Sequence, residues 1–366
     1  MRAPRAAAGI CLWLLFFISQ SVPLLAADFG KTTTQKVADG AVYIFTTTGY
    51  GDVGLSGNSV AVISNDGVLV FDTSGTPATA RNIIAEIKKI TDKPVRYVVN
   101  SHWHWDHWGG NEAFKSAYPG VKIISQEKTR GMMQQDSIEW NRDYLGKDIP
   151  AHIRDVDDAL AKAKADNNGD RAARLEALSN ADKDFLHQKT TLTNTFPDEV
   201  YGESKRLKLG DMEIELIHAR GITPGDTYVW LPKQKILLAA DLLVCPIPYA
   251  TGGTYPATWL AALQDIQKLG PNLIIPGHGP AENDDDFLRS NIRLFSRLRE
   301  DVKSAKESGL SLQQTQDALK KNAAEYAAIL KLDAKQVEPF TGLFLAGFVK
   351  NSYLELQGPL SDTPSK

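Results

Sequence analysis

The alternation of apolar and polar positions predicts strands first. From residue 37 to residue 71 the pattern has a period of two and many β-branched residues, which is typical of strands. Ser64-Asn65-Asp66-Gly67 separates two of these strands, and its Asp-Gly pair predicts a hairpin turn. A helix is predicted over 79–90, because its isoleucines share one face, and apolar strands follow over 95–99 and 121–125. Strands that alternate with helices predict an α/β layered fold.

The pattern changes between residues 128 and about 193. Strand signals disappear there, and alanine and charged residues become frequent, so we expect two or three helices broken at Asn167-Asn168-Gly169. We interpret this segment as a helical insertion packed on an α/β core. Its two histidines, His152 and His187, are each expected to be surface residues rather than ligands.

Strand patterns return from residue 200 to residue 276, and helical patterns dominate after residue 280. No linker rich in Pro, Gly or Ser interrupts the chain. We therefore expect one elaborated domain at 28–290 and a C-terminal helical extension at 291–366 packed on it.

Residues 1–27 have the features of a cleavable secretory signal. Arg2 and Arg5 precede an apolar stretch, and small residues stand before Asp28. The stretch is too short for a stable membrane span, so we expect a mature protein without one, in the periplasm or secreted. Its single cysteine, Cys245, excludes an intramolecular disulfide.

Composition and charge fit a globular protein that acts on small molecules. The chain is 43% hydrophobic and 23% charged, and its formal charge is −3. Removing Arg2 and Arg5 with the signal leaves −5 (−3 minus 2). This mild acidity gives no basic field for nucleic acid, so we expect a small-molecule substrate and no nucleic-acid partner.

The densest chemistry lies in residues 101–110. His102, His104, Asp106 and His107 occur within six positions, directly after the predicted strand 95–99. Imidazole and carboxylate are the donors that Zn²⁺ and similar divalent metals prefer. In extended chain His102 and His104 point the same way, while Asp106 and His107 can reach a second ion. Tryptophans between the four donors argue against ordinary surface or core histidines, so this stretch predicts a metal site.

Further motifs follow in an order that resembles the metallo-β-lactamase superfamily. Beside His-x-His-x-Asp-His at 102–107 there are Asp72 at a strand end, Gly-x-Thr-Pro-Gly at 221–225, Asp241 at another strand end, and His278 within Gly-His-Gly. The resemblance covers roughly residues 37 to 280, outside the insertion. It implies a four-layer αβ/βα sandwich of α/β class, with the helical insertion and C-terminal helices added.

The resemblance also implies a ligand set for one or two zinc ions, with iron as an alternative metal. By it His102 and His104 would hold the first ion, Asp106, His107 and His278 the second, and Asp241 would bridge them. Ile222 stands where the family usually has the third histidine of the first site. Isoleucine has no donor atom, so we expect metal mainly at the second site. His218, four residues earlier, is an alternative donor.

The activity implied is metal-assisted hydrolysis of a lactam, lactone, ester or thioester. Asp106 would orient the nucleophile, and His102 or His104 would serve as general base if the first site is empty. Trp103 and Tyr249 are candidate substrate contacts. Two other functions stay open: a mononuclear-iron enzyme similar to sulfur dioxygenases, and a metal-binding or accessory protein with little turnover.

Overall fold

The computed structural model describes residues 29–38, 41–49, 56–135, 142–250 and 253–362. The predicted signal segment at 1–27 lies outside these residues.

Twelve strands among the described residues form two sheets. The first sheet has the order β1-β2-β3-β4-β5-β6-β7, and the second has the order β12-β11-β10-β9-β8. Their bounds are Thr32–Ala38 (β1), Val42–Thr47 (β2), Ser59–Ile63 (β3), Val68–Phe71 (β4), Val95–Asn100 (β5), Lys122–Gln126 (β6), Glu199–Tyr201 (β7), Ser204–Leu209 (β8), Met212–Ala219 (β9), Asp226–Leu231 (β10), Ile236–Val244 (β11) and Leu273–His278 (β12).

The helices fall between and after these strands. They are Pro77–Ile90 (α1), Trp105–Trp108 (α2), Asn111–Ala117 (α3), Glu127–Gln134 (α4), Ile149–Ala165 (α5), Gly169–Thr191 (α6), Pro256–Leu269 (α7), Asp286–Glu307 (α8), Leu312–Lys320 (α9), Ala323–Ile329 (α10), Val337–Phe340 (α11) and Ala346–Glu355 (α12), with π-helical turns at Tyr144–Asp148 and Thr341–Leu345. The predicted α/β class is confirmed.

Contacts divide the chain into two compact units. The first unit comprises the described residues within Met1–Ile124 and Arg130–Glu199, and the second comprises those within Ser125–Thr129 and Val200–Lys366.

The core of the first unit lies where α1 covers its sheet. Thr76 caps α1 by accepting a hydrogen bond from the Thr79 amide, and α1 buries Ile83 and Ile87 completely. They join Val70 of β4 and Val98 of β5 in one hydrophobic cluster. Burying each such side chain contributes roughly 1.5–3 kcal/mol, so this cluster fixes the strand ends that follow β4 and β5.

The core of the second unit joins its sheet to the C-terminal helices. Every residue of β10 is buried, as expected for a strand with both faces covered. Trp259 of α7 packs edge-on against Phe295 of α8 at a centroid distance of 4.7 Å, and Phe295 lies 4.6 Å from Phe348 of α12. The C-terminal helices therefore complete a core that the sheet begins.

Most elements predicted from the apolar pattern are confirmed. β3 and β4 form the predicted hairpin, and helices α5 and α6 are separated at Asp166–Asn168 as predicted. The helical pattern predicted after residue 280 is confirmed, and within it α9 and α10 are separate helices. Strand β1 is mostly polar and none of its residues is fully buried, and the pattern therefore missed most of it.

The interpretation of His152 as a surface residue was wrong. His152 is 8% exposed, and its Nε2 lies 3.3 Å from Asp182 Oδ2 of α6. A buried carboxylate on the neighbouring helix gives this imidazole an internal partner, which a single histidine in sequence cannot reveal. His187 is exposed, as predicted.

Within the described ranges, the helices lack any stretch with the length and apolarity that crossing a membrane requires.

Candidate metal centre

Strand β5 delivers the histidine motif to the edge of the first unit's sheet. The strand ends at Asn100, and His104 still has extended backbone, at φ −62° and ψ 134°. One helical turn, α2, then follows and contains Asp106 and His107. His104 thus has extended backbone, whereas Asp106 and His107 lie on a helical turn.

The first donor pair is His102 and His104. His102 Nε2 lies 2.9 Å from His104 Nδ1, and the other nitrogen of His102 lies 2.8 Å from Ser101 Oγ. His102 is 1% exposed, whereas His104 is partly exposed. Because Ser101 engages Nδ1, the Nε2 atom is the one that converges on His104.

The second donor pair is Asp106 and His107. His107 Nε2 lies 3.4 Å from Asp106 Oδ2, and His107 Nδ1 lies 2.9 Å from Asp72 Oδ2. Metal-binding histidines commonly hold their second nitrogen on a carboxylate in this way, which fixes the ring and raises its basicity. The donor nitrogen of His107 is thus oriented by Asp72.

Asp72 organises the whole motif. It also accepts hydrogen bonds from the amide and hydroxyl of Ser101, each at 2.7 Å. Burial raises its pKa above the ordinary value, opposed by the charge and hydrogen bond of His107 and the hydrogen bonds of Ser101. Its φ of 60° is a costly conformation for a residue other than glycine, and such conformations cluster at functional sites.

Two glycines allow the chain to pack closely around these donors. A Cβ at Gly57 would lie 2.5 Å from His107 Cε1, and one at Gly109 would lie 2.1 Å from the carbonyl oxygen of Gly75. Only glycine fits at either position without a shift of its neighbours.

The second unit contains the other predicted donors, Asp241 and His278. Asp241 lies in β11, His278 ends β12, and His278 Nε2 lies 3.6 Å from Asp241 Oδ1. A Cβ at Gly277 would overlap the Asp241 carboxylate at 1.9 Å, so glycine is required beside it. Ala240, before Asp241, has a φ of 46°, a second unusual conformation at a donor.

The turn at 221–226 contains no donor at the position where one was expected. Ile222 is 1% exposed. Asp226 holds the turn by accepting hydrogen bonds from the amides of Gly221 at 2.9 Å and Thr223 at 3.1 Å, and from the Thr223 hydroxyl. Burial raises the pKa of Asp226 to about 7, although these hydrogen bonds lower it. The turn is therefore well ordered around a residue that cannot bind metal.

His218 has other partners in the second unit. Its Nε2 lies 3.0 Å from the carbonyl oxygen of Pro224, and its Nδ1 lies 3.5 Å from Glu203 Oε2. Both nitrogens face protein oxygens, which disfavours His218 as the replacement donor.

Each unit thus contains histidine and aspartate side chains that could hold a metal ion. The donor atoms are imidazole nitrogens and carboxylate oxygens, which suit zinc and also iron. No sulfur donor is among them, since Cys245 lies 3.6 Å from Glu282 Oε1 and burial raises its pKa to about 12.

The substrate-contact candidates lie at the surface of their units. Trp103 is half-buried, and its ring meets His104 edge-on at 4.9 Å, whereas Trp105 and Trp108 are buried. Tyr249 is also half-buried. Of the three tryptophans in the motif, Trp103 is therefore the one with a ring partly open to solvent.

Sequence reasoning missed Lys189 of α6. Its Nζ lies 3.4 Å from the carbonyl oxygen of Gly75 and 4.9 Å from the centre of the Trp105 ring, and the residue is 8% exposed. Burial lowers its pKa to about 7, while the charge of Asp106 raises it. Phe185 and Lys189 are four residues apart and share one face of α6, but the burial of that face depends on helix packing that no local pattern encodes.

Comparisons with known proteins place the chain in a family. The family model of the metallo-beta-lactamase superfamily matches residues 52–278. A linear primary-alkylsulfatase of a Pseudomonas strain is 24% identical over 230 residues, 58% of this chain and 40% of that protein. A type 2 metallo-beta-lactamase of Elizabethkingia meningoseptica is 22% identical over 288 residues, 76% of this chain and 92% of that protein.

Solved structures share the fold. A metallo-beta-lactamase from Pontibacter korlensis has a TM-score of 0.52 at 20% identity, over 73% of this chain and 99% of that one. This likeness shows the fold alone. The chain spans less than half the length of the alkylsulfatase, but nearly all of the lactamase from Elizabethkingia. The family match covers more than half of the chain, and the protein therefore belongs to the metallo-beta-lactamase superfamily.

Proposed function

We propose that this protein is a zinc-dependent hydrolase that cleaves a lactam, lactone, ester or thioester, with metal mainly at the second site. The observation that carries this proposal is the Asp72–His107–Asp106 arrangement, in which a buried carboxylate orients an imidazole beside a second carboxylate. Family membership supports the same class of chemistry.

The ligand roles follow the family pattern. Asp106, His107 and His278 would hold the second ion, Asp241 would bridge, and His102 with His104 would face the first position. Two histidines and two carboxylates are enough for a four-coordinate zinc, with water completing a catalytic site. The first metal position would have only two histidines and the bridging carboxylate, because Ile222 has no donor atom to act as its third histidine would.

When bound, the metal supplies Lewis-acid polarisation of the substrate and lowers the pKa of a water molecule. The protein's own groups do the rest. Asp106 orients the attacking water through a carboxylate oxygen. His102 or His104 accepts its proton at a ring nitrogen, and Ser101, 2.8 Å from His102 Nδ1, holds that ring in place.

Substrate contacts are proposed for Trp103 and Tyr249. Trp103 is favoured by its partly open ring beside His104. The relatives are named for different substrates, an alkyl sulfate ester in one case and β-lactams in another. We therefore propose a small-molecule substrate with a hydrolysable bond and leave the bond type to a substrate screen.

Export to the periplasm or beyond the cell is part of the proposal. It rests on the signal-like pattern of residues 1–27 and on the single cysteine of the remaining chain. Amino-terminal sequencing of protein recovered from the periplasm should begin at Asp28, and full-length protein retained in the cytoplasm would contradict export.

Two alternatives remain testable. An accessory protein with little turnover is favoured by the missing donor at Ile222. A mononuclear-iron enzyme similar to sulfur dioxygenases is compatible with nitrogen and oxygen donors, but those enzymes keep the histidine that Ile222 replaces.

The test is hydrolysis of chromogenic lactams, esters and thioesters by zinc-loaded protein. We expect turnover of at least one class, and a loss of about 10²–10⁴-fold in Asp106→Ala, since this carboxylate orients the water whose proton His102 or His104 accepts. His187→Ala is the matched control, because His187 is exposed on α6. Tight metal without hydrolysis would favour the accessory function, and iron-dependent oxygen consumption would favour the dioxygenase.

A further inference from the structure

A short segment near the described C-terminal end is bound by three side chains of the second unit. This segment, residues 360–362, is called the tail segment below. Arg220 Nη2 donates to the carbonyl oxygen of Leu360 at 2.9 Å, and Tyr255 Oη donates to that of Ser361 at 2.8 Å. The tail segment is thus held by its backbone as well as by its one acidic side chain.

The Asp362 carboxylate lies between two cations. Its Oδ1 accepts from Arg220 Nη2 at 2.6 Å, and its Oδ2 accepts from Lys128 Nζ at 2.9 Å. Partial burial raises the pKa of Asp362, but the hydrogen bonds and charges of Lys128 and Arg220 bring it below the ordinary value. Each oxygen of the carboxylate has its own cation, an arrangement that suits any small oxyanion.

Arg220, which contacts the carboxylate, and Tyr255 beside it are fixed in advance. The Arg220 guanidinium carbon lies 3.8 Å from the centre of the Tyr255 ring, so the guanidinium is held against an aromatic face. Tyr255 is 1% exposed, and its amide donates to the carbonyl oxygen of Gly221 at 2.7 Å. Thr258 Oγ1 donates to the carbonyl oxygen of Arg220. Arg220 and Tyr255 are therefore anchored to the same turn that contains Ile222.

We propose that Lys128, Arg220 and Tyr255 form a binding site for a small oxyanion, a carboxylate or sulfate group, and that Asp362 fills this site from within the chain. This site goes beyond the hydrolytic centre. The Asp362 side chain is 46% exposed and that of Lys128 is 39% exposed, and exposed ion pairs contribute little to stability, so the tail segment can exchange with a free anion.

Tethering gives the internal carboxylate an advantage over a free ion. A group held on a short flexible segment competes at an effective concentration on the order of millimolar. A free anion must overcome this competition in the natural chain. Removal of the Asp362 carboxylate should therefore expose the site.

The direct test is calorimetric titration with sodium sulfate at constant ionic strength. We expect Asp362→Ala to bind sulfate at least about tenfold more tightly than the unaltered protein, because the tethered competitor is gone. Asp265→Ala is the matched control, since Asp265 pairs with Lys268 at 2.7 Å on the surface of the same unit. It should behave as the unaltered protein does.

A second substitution locates the site. In the Asp362→Ala background, Arg220→Met should abolish the gain in sulfate binding, and Lys128→Met should reduce it. Lys128→Met provides the same test if Arg220→Met fails to fold. The proposal is overturned if Asp362→Ala binds sulfate no better than the unaltered protein, or if the gain survives both substitutions.

A kinetic comparison distinguishes the two sources of the anion, and this arm alone rests on the proposed hydrolase function. If the anion belongs to the substrate, Asp362→Ala should lower KM for the half-ester 4-nitrophenyl succinate and leave that for 4-nitrophenyl acetate unchanged. If the anion is a free effector, sulfate should instead change kcat for the neutral ester. Sulfate binding is measured without catalysis, so an inactive protein leaves the binding test intact.

Discussion

The motif at 101–110 and the turn at 221–226 are each held by a buried carboxylate but differ in the donor atoms they offer a metal. In the motif, Asp72 and Ser101 fix the rings of His107 and His102. In the turn, Asp226 fixes the backbone in a similar way, yet the side chain it presents is Ile222. The turn thus keeps a supporting buried carboxylate, Asp226, although Ile222 gives it no metal donor.

This comparison explains why one site is expected to dominate. The scaffold of the turn does not depend on a metal donor, because Asp226 and the glycine backbone stabilise it without one. The motif, in contrast, places each donor atom within 3.4 Å of a second donor. His102 and His104 therefore converge on each other, whereas the turn presents the buried side chain of Ile222, which has no donor atom.

The largest expected effect comes from removing the support in the motif. Asp72→Asn should weaken zinc binding by about 10–100-fold, since the carboxylate orients His107 and raises its basicity. Competition with a chelating dye measures this directly. Asp66→Asn is the control, because Asp66 lies on the β3–β4 turn with its side chain 62% exposed. Unchanged zinc affinity in Asp72→Asn would contradict the role given to Asp72.

A smaller effect is expected in the turn. The pKa of Asp226 is raised from 3.8 to about 7 by burial, so the folded protein keeps a proton there that the unfolded chain has lost. Its contribution to stability is therefore greatest below about pH 4 and declines as the pH rises to about 7. Asp226→Asn cannot titrate, and the decline in unfolding free energy over this range should become shallower. Denaturant unfolding at several pH values measures this decline. The same decline in Asp226→Asn as in the unaltered protein would contradict a protonated Asp226.

An effect on stability with the opposite pH dependence is expected beside the motif. The pKa of Lys189 is lowered from 10.5 to about 7 by burial, so its contribution to stability is full above about pH 10.5 and is lost as the pH falls through about 7. Lys189→Met should remove this loss, so the variant should be more stable than the unaltered protein at neutral pH. Lys183→Met, an exposed change on the same helix, is the control. If the unfolding free energy depended on pH in the same way in both variants, a lowered pKa of Lys189 would be contradicted.

The fold and the donors differ in how far sequence predicts them. Strands β3 to β5 and the histidine motif were predictable, because apolar runs and adjacent donors are local patterns. Lys189 and the His152–Asp182 pair were not, since their burial depends on helix packing that no local pattern encodes. Strand β1 was missed because an exposed edge strand has no apolar face.

Metal content tests the central claim most directly. The account predicts about one tightly held zinc per chain in the natural protein and a second one in Ile222→His, since the turn already has an ordered backbone. Equilibrium dialysis followed by elemental analysis measures both proteins side by side. Two tight equivalents in the natural protein, or an unchanged stoichiometry in Ile222→His, would contradict it.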